Sequence, residues 1–396
     1  MESTEQRKTL VNGHADENIT TSKESKWVIS RRRSCHGPRP VTKFGPKAKL
    51  VDDHSVADNS INSTCDPSSM ILGWKSQPKQ VLIIRKPGED DDVNNSFKEL
   101  AYWLVTEMNL MLYAEQASLS EPSIANDKRV QDIRSNIFTW RQHEGLESSI
   151  DFIICLGGDG TLLYAASLFQ RNCPPVVAYH IGSLGFLTCF KFPNYKQDLT
   201  SVVNGSGKLI LRKRLECQLM FKRGTDDKNH NEDDNNITSY TVLNELVIDR
   251  GSAQSLSNLD VYCNDRLITS VQGDGLIVST PTGSTAYAAA AGGSMVHPSV
   301  PGILLTPVCP HSLASRPVIV PAGVEIKIIL SQESRSGAFA SFDGRDRQEL
   351  RRGDGIRVTT SVYPVPCLTR EDQITDWFTS LGECLHWNAR RKQKPF

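Results

Sequence analysis

An unbroken apolar run, Asp151-Phe152-Ile153-Ile154-Cys155-Leu156, passes without a spacer into Gly157-Gly158-Asp159-Gly160-Thr161. A run of that length and character fits a strand covered on both faces. Residues 161–170 then read as a helix. A strand that hands over to a helix through a glycine turn belongs to parallel α/β architecture, with the turn at the carboxyl end of the strand. Two more apolar runs suit the same sheet, at 80–85 and 175–181. Between them Phe97, Leu100, Ala101, Leu104, Met108 and Leu112 recur at steps of three and four, which predicts a helix with one apolar face.

The texture changes near residue 208. Short alternating runs dominate at 209–221, 240–249, 259–263, 267–271 and 276–280, and again at 318–320, 324–330, 338–342 and 356–361. Asn264-Asp265 reads as a hairpin turn although the usual Asn-Gly or Asp-Gly pair is absent. Residues 284–291 read as a short Ala-rich helix ending at Gly292-Gly293. The tail 372–387 places Ile374, Trp377, Phe378, Leu381, Leu385 and His386 at helical spacing. The expected fold is α/β: an N-terminal parallel, Rossmann-like α/β domain at 77–207, then a β-rich domain at 208–365. A polar arm at 1–76 is expected to be disordered. A mobile insert is expected at 224–239, and 366–396 is a tail whose helix packs on the body.

Composition narrows the function classes. Forty-five basic residues balance 45 acidic ones, so no global charge calls for nucleic acid. No apolar run reaches a membrane span. The N-terminus lacks a signal-like apolar stretch, and Glu2, Glu5, Asp16 and Glu17 argue against a mitochondrial presequence, so a cytoplasmic protein is expected. The ten cysteines form no CxxC pair and read as reduced thiols.

The segments that carry chemistry are few. Glycines ahead of a helix N-terminus let a phosphate approach free N–H groups. Asp159 repels a phosphate, but becomes useful if it accepts a hydroxyl proton or helps hold magnesium. The alternative is a turn with Asp159 as helix N-cap. The turn is no Walker loop, since Gly-Lys-Ser/Thr is missing. Asn244-Glu245, closing an apolar run, offers an amide and a carboxylate to a ribose or an adenine edge, or is an exposed strand end. Residues 273–287 combine an acidic turn, a buried strand and the run Ser279-Thr280-Pro281-Thr282-Gly283-Ser284-Thr285-Ala286-Tyr287. Thr282 and Ser284 suit helix caps there, Tyr287 a pocket wall, and the small residues let a ligand lie close. Ser341-Phe342-Asp343-Gly344 repeats the strand-then-Asp-Gly theme, as a simple turn or a further site element. His297 reads as structural.

Taken together, 155–163, Asn244-Glu245, 271–293 and 341–345 resemble the NAD kinase family, the animal cytosolic members most closely. The Gly-Gly-Asp-Gly turn alone also resembles phosphofructokinases and lipid kinases. The long Ser/Thr-rich run with Asn-Glu upstream is what makes the resemblance specific. It implies an NAD kinase-like fold, ATP-dependent phosphorylation of the adenosine 2′-hydroxyl of NAD, Mg2+ carried with ATP, and a homotetramer. By position, Asp159 is the residue that activates the hydroxyl or orders the magnesium. Gly157, Gly158, Gly160 and Thr161 line the phosphates. Asn244 and Glu245 bind ribose, and Asp274 meets the nicotinamide side. Ser284, Thr285, Ala286 and Tyr287 border the dinucleotide, and Phe186 contacts adenine. Gln272 stands where NAD-selective relatives carry a polar or large residue and NADH-using ones a glycine. Arg31-Arg32-Arg33-Ser34 matches the pattern of Arg-directed phosphorylation, with Ser34 as the acceptor, or is a solvated basic cluster. A lipid kinase of the diacylglycerol or sphingosine type and a non-catalytic dinucleotide sensor are the alternatives.

Overall fold

The computed structural model describes residues 43–52, 69–88, 90–140, 148–221 and 238–387. The apolar runs around the glycine turn lie side by side and parallel: Phe152–Gly157 between Gln80–Arg85 and Val176–His180. Every residue of Phe152–Gly157 is buried, because a helix covers each face of the sheet. Val81, Ile83, Phe152 and Ile154 pack with Phe97, Leu100 and Leu104 of helix Asp91–Thr106. The alternate residues Leu82, Ile84, Ile153 and Cys155 pack with Leu162, Ala165 and Ala166 of helix Asp159–Leu168. The period of two along a strand sorts them to the two faces.

The parallel set extends through Met111–Glu115 and Ile137–Trp140 on one side and Val365–Leu368 on the other. Sequence reading missed the first two. It ran the helical spacing on to Met108 and Leu112, whereas the helix ends at Thr106, Asn109 turns the chain at φ 54°, and Leu112 is a strand residue. Beyond Val365–Leu368 the sheet turns antiparallel through Lys208–Arg212, Ser69–Trp74 and Ala48–Asp52.

Those last two strands correct the expected 1–76 arm. Leu72 is fully buried, and Trp74 donates its indole N–H to Val202 O at 2.8 Å. Lys47 pairs with the buried Asp151 at 2.8 Å. Two short apolar strands separated by the sixteen mostly polar residues 53–68 average out to a disordered composition, which hides them. Residues 1–42, with Ser34, lie outside the described residues, as do 224–237 of the insert.

Residues 215–360 form two six-stranded antiparallel sheets that share one core. One runs in the order Ser239–Val242, Leu215–Met220, Gly355–Thr360, Ile326–Leu330, Ser257–Cys263, Arg266–Gly273; the other runs Val318–Pro321, Gly302–Val308, Gly275–Ser279, Glu245–Asp249, Ala338–Phe342, Arg345–Leu350. Asn264 and Asp265 both sit at positive φ, 48° and 65°, as the favoured two-residue hairpin turn requires. The expected strand 209–221 is two strands in different sheets, broken at Lys213-Arg214 where the chain crosses between domains. A pattern of alternation cannot register that crossing, because both halves alternate.

The tail helix spans Gln373–Leu385. Ile374, Phe378 and Leu385 are about half exposed, whereas Asp376, Ser380 and Leu381 face inward. The helix therefore docks largely through polar contacts and through Trp377, which packs edge-on against His297.

Candidate active site

Asp159 is the first residue of its helix rather than the cap; Gly158 caps, with no side-chain bond. The Asp159 carboxylate instead reaches across to the segment 185–188. Oδ2 accepts from Phe186 N at 2.9 Å, and Oδ1 accepts from Leu187 N at 3.0 Å and from the Thr188 hydroxyl at 3.1 Å. Gly185 has no room for a side chain, since a Cβ there would strike that carboxylate. Gly157 is confined in another way: its φ of 152° disfavours other residues, and a Cβ would collide with the Thr161 hydroxyl. Gly158 and Gly160 face open space. The turn thus presents bare backbone at a helix N-terminus, where a phosphate is favoured, with a fixed carboxylate beside it.

The second corner is built on the sandwich. Leu243 inserts into the cluster that contains Leu162, Ala165 and Ala166 of the Asp159 helix. Thr241 N donates to Gln170 Oε1 at 2.8 Å, and Arg345 lies over the Tyr164 ring at 4.9 Å. These contacts seat the Asn244-Glu245 turn against that helix. Asp343, itself at φ 48°, accepts from three successive amides: Leu243 N at 2.7 Å, Asn244 N at 2.8 Å and Glu245 N at 3.0 Å. The backbone is held and the side chains are left over. Asn244 Oδ1 and Glu245 Oε2 are buried with no hydrogen-bond partner among the described residues. Burial, and then the charge of Asp343, push the Glu245 carboxyl up to about 8.

Two hydroxyls join them. Glu245 pairs with Ser279 across the sheet, and Thr306 pairs with Ile277. All lie on the sheet face that Ala288 covers, away from the sandwich core. Ser279 Oγ and Thr306 Oγ1 are also buried without a partner. One such atom costs about 1–3 kcal/mol. Four on neighbouring positions mark a surface shaped for a polar ligand. Ser279 lies within the hydroxyl-rich run, but strand register is what brings it beside Glu245. Thr306 carries no sequence signal.

The remaining candidates divide into scaffold and surface. Ser284 is fully buried; its hydroxyl donates to Pro281 O at 2.6 Å and accepts from Val296 N at 2.8 Å. It braces the segment. The expected helix 284–291 is split at Ala286 into a 3-10 turn, Thr282–Thr285, and the short helix Tyr287–Ala290, neither with a side-chain cap. Thr285 and Ala286 are partly exposed, and Tyr287 is 45% exposed. Asp274 pairs with Arg250 at 2.6 Å, so its charge is locally balanced. Gln272 is exposed on the edge strand Arg266–Gly273. Phe186 is partly buried beside Asp159. His297 binds Ser299 and the Gln373 carbonyl, which suits the structural role expected of it.

Among the described residues no group of three or more His, Cys, Asp or Glu could hold a metal ion unaided, and Asp159 is the carboxylate nearest the open glycine turn. Their eight cysteines are free thiols, and no described helix is long and apolar enough to cross a membrane.

Comparison with known proteins places this geometry. The family model of the ATP-NAD kinase N-terminal domain matches residues 81–207, and that of the C-terminal domain matches 243–369. A chloroplastic NAD kinase 2 of Arabidopsis thaliana is 43% identical over 354 residues, covering 86% of this chain and 34% of its own. The chain thus spans about a third of that plant relative. An NAD(+) kinase of Saccharomyces cerevisiae is 39% identical over 398 residues, covering 98% of this chain and 71% of its own. The crystal structure of yeast NADH kinase complexed with NADH superposes with a TM-score of 0.74 at 28% identity, covering 89% of this chain and 97% of that one. The two domain matches fall on the two corners described above, and the chain belongs to the NAD kinase family.

Proposed function

We propose that this protein is an NAD kinase that transfers the terminal phosphate of ATP to the adenosine 2′-hydroxyl of NAD. The observation that carries the reading is the pairing of a fixed carboxylate at an open glycine turn with four buried oxygens, on the Asn244 turn and the adjoining sheet, that have no hydrogen-bond partner among the described residues. Relatives named for NAD and NADH kinase activity favour it over a lipid kinase.

Each corner has its task. A carboxylate offers about four acceptor positions. Three donors engage Asp159, which leaves one for a hydroxyl. Asp159 therefore accepts the 2′-hydroxyl proton while the segment 186–188 stops it from turning away. Such help is worth typically ~10²–10⁴-fold. Asn244 and Glu245 take the ribose hydroxyls, and Ser279 and Thr306 complete the polar floor. Gly158 and Gly160 leave room for the phosphates. Mg2+ brought with ATP would neutralise phosphate charge, and Asp159 is the side chain that would orient it.

Gln272, exposed on the edge strand, sets a preference for NAD over NADH by filling space beside the reduced ring. Leu267 and Ile268 on one edge strand and Val318 and Ile319 on another are exposed, which supports burial in a homotetramer. An animal-type protein of the cytosol is the corresponding setting. Incubation with Mg-ATP and NAD tests the activity, and light scattering tests the tetramer. Absence of NADP, or a monomer at micromolar concentration, would contradict the respective statement.

A further inference from the structure

Arg214 is a buried charge that plays no part in the ligand-facing groups above. It has no exposed surface. It stands at the joint between the domains: Lys208–Arg212 ends in the α/β sheet, Leu215–Met220 begins in the sandwich, and on the return crossing Ser361 N donates to Arg214 O at 2.8 Å. Its guanidinium reaches into the α/β side. Nη1 donates to Phe169 O at 2.6 Å and to Ala166 O at 3.3 Å, Nη2 donates to Arg171 O at 2.5 Å, and Nε donates to Tyr363 O at 2.6 Å. Three of these carbonyls lie at or just past the C-terminal end of helix Asp159–Leu168, where orphan carbonyls and the helix dipole favour a cation.

On the sandwich side, Leu215 pairs with Val242, so Arg214 stands level with Leu243, whose amide Asp343 holds. The charge of Arg214 also reaches Asp343. Burial pushes the Asp343 carboxyl up, while the three amides and Arg214 draw it back toward ionisation. One side chain thus grips the far end of the Asp159 helix and supports the carboxylate that clamps Asn244-Glu245. A purely stabilising residue would not need a charge here, since apolar replacements of buried ions are often neutral or stabilising.

We propose that Arg214 and Asp343 form a positioning couple that fixes the Asn244-Glu245 turn relative to the Asp159 helix, so that both corners meet one dinucleotide at once. The couple deepens the NAD kinase reading and rests on it for its purpose. The charged and titratable groups that interact with Asp343 here are Glu245, Arg214 and the Cys217 thiol, which burial, Asp343 and then Glu216 push up.

The test uses the full chain with Arg214→Lys, Arg214→Met and Asp343→Asn. Three quantities are measured: thermal melting, kcat and KM for NAD at saturating Mg-ATP, and the titration of Glu245 by carbon NMR of carboxyl-labelled protein. Lysine keeps the charge but loses the planar fork. In folded Arg214→Lys, kcat/KM for NAD falls roughly 10- to 100-fold, the scale set by a misplacement of about 1 Å. In Asp343→Asn the Glu245 midpoint moves down from about 8, because a neighbouring negative charge is gone. Folded arginine variants with kcat/KM within about twofold of wild type would overturn the couple, since real displacement costs more. If the arginine variants do not fold, an unmoved Glu245 midpoint in Asp343→Asn overturns it instead. The NMR titration needs no turnover. A wild type that makes no NADP would therefore sink the proposed function while the couple is still decided by that midpoint.

Discussion

The two corners of the site satisfy their polar groups in opposite ways. At Asp159 the carboxylate itself is engaged, by two amides and a hydroxyl from 186–188. At Asn244-Glu245 the backbone amides are engaged, by Asp343, and the side-chain oxygens are left buried and unpartnered. The first arrangement fixes a charge in place before any substrate arrives. The second keeps a desolvated surface whose missing bonds a ligand would supply, so that its cost in the free protein would be recovered as binding selectivity. One corner is thus suited to chemistry and the other to recognition, and kinetics can separate the two.

The largest effect is expected at the chemical corner. Asp159→Asn keeps the size and removes the charge, so turnover should fall by ~10²–10⁴, while calorimetric NAD affinity changes little. Parallel loss of both would erase the contrast between the corners. At the recognition corner, Asn244→Ala should weaken NAD binding by about 1–3 kcal/mol, roughly 5- to 150-fold, with a smaller change in kcat. Wild-type saturation by NAD in that variant would mean that the ribose pair is misplaced.

The pH dependence of stability sharpens the recognition side. Glu245 rises from an ordinary 4.5 to about 8 in the folded protein. Between those values the folded chain keeps a proton that the unfolded chain has released, so stability should decline as pH rises through that window and level off above it. Urea midpoints should show this slope in wild type and a flatter one in Glu245→Gln. Equal slopes would place Glu245 in a wetter environment than the structure gives. The smallest effect is expected at the edge of the site. On the role proposed for Gln272, Gln272→Gly should narrow the preference for NAD over NADH by only a few-fold in kcat/KM, because the residue is exposed on the edge strand. An unchanged ratio would remove Gln272 from the recognition corner.

Local signals in the chain account for much of this. The strand Phe152–Gly157, its glycine turn and the helix behind it are contiguous, so apolar pattern and turn chemistry reveal them directly. The same holds for the parallel neighbours and for the alternation that gives the sandwich. What sequence reading misses is set by pairing at a distance. Ser69–Trp74 joins the main sheet only through its pairing with Lys208–Arg212, well over a hundred residues away. The split at Lys213-Arg214 depends on a domain crossing that no local pattern encodes. Thr188 and Thr306 enter the site through a loop contact and a strand register respectively, and the purpose of Asp343 emerges only from the three amides that converge on it. Ser284, by contrast, carries a sequence signal that suits a helix cap or a ligand contact, and in this structure its buried hydroxyl caps no helix but bonds Pro281 O and Val296 N.

The most direct test of the division between the corners is a single comparison on the purified chain. NADP formation from Mg-ATP and NAD is followed together with NAD affinity, in wild type and in Asp159→Asn. The expected result is stoichiometric NADP from wild type, and from the variant near-normal NAD binding with turnover reduced by ~10²–10⁴. A wild type that binds NAD without forming NADP would identify a dinucleotide sensor. A variant that still turns over at the wild-type rate would show that the fixed carboxylate has no part in the chemistry.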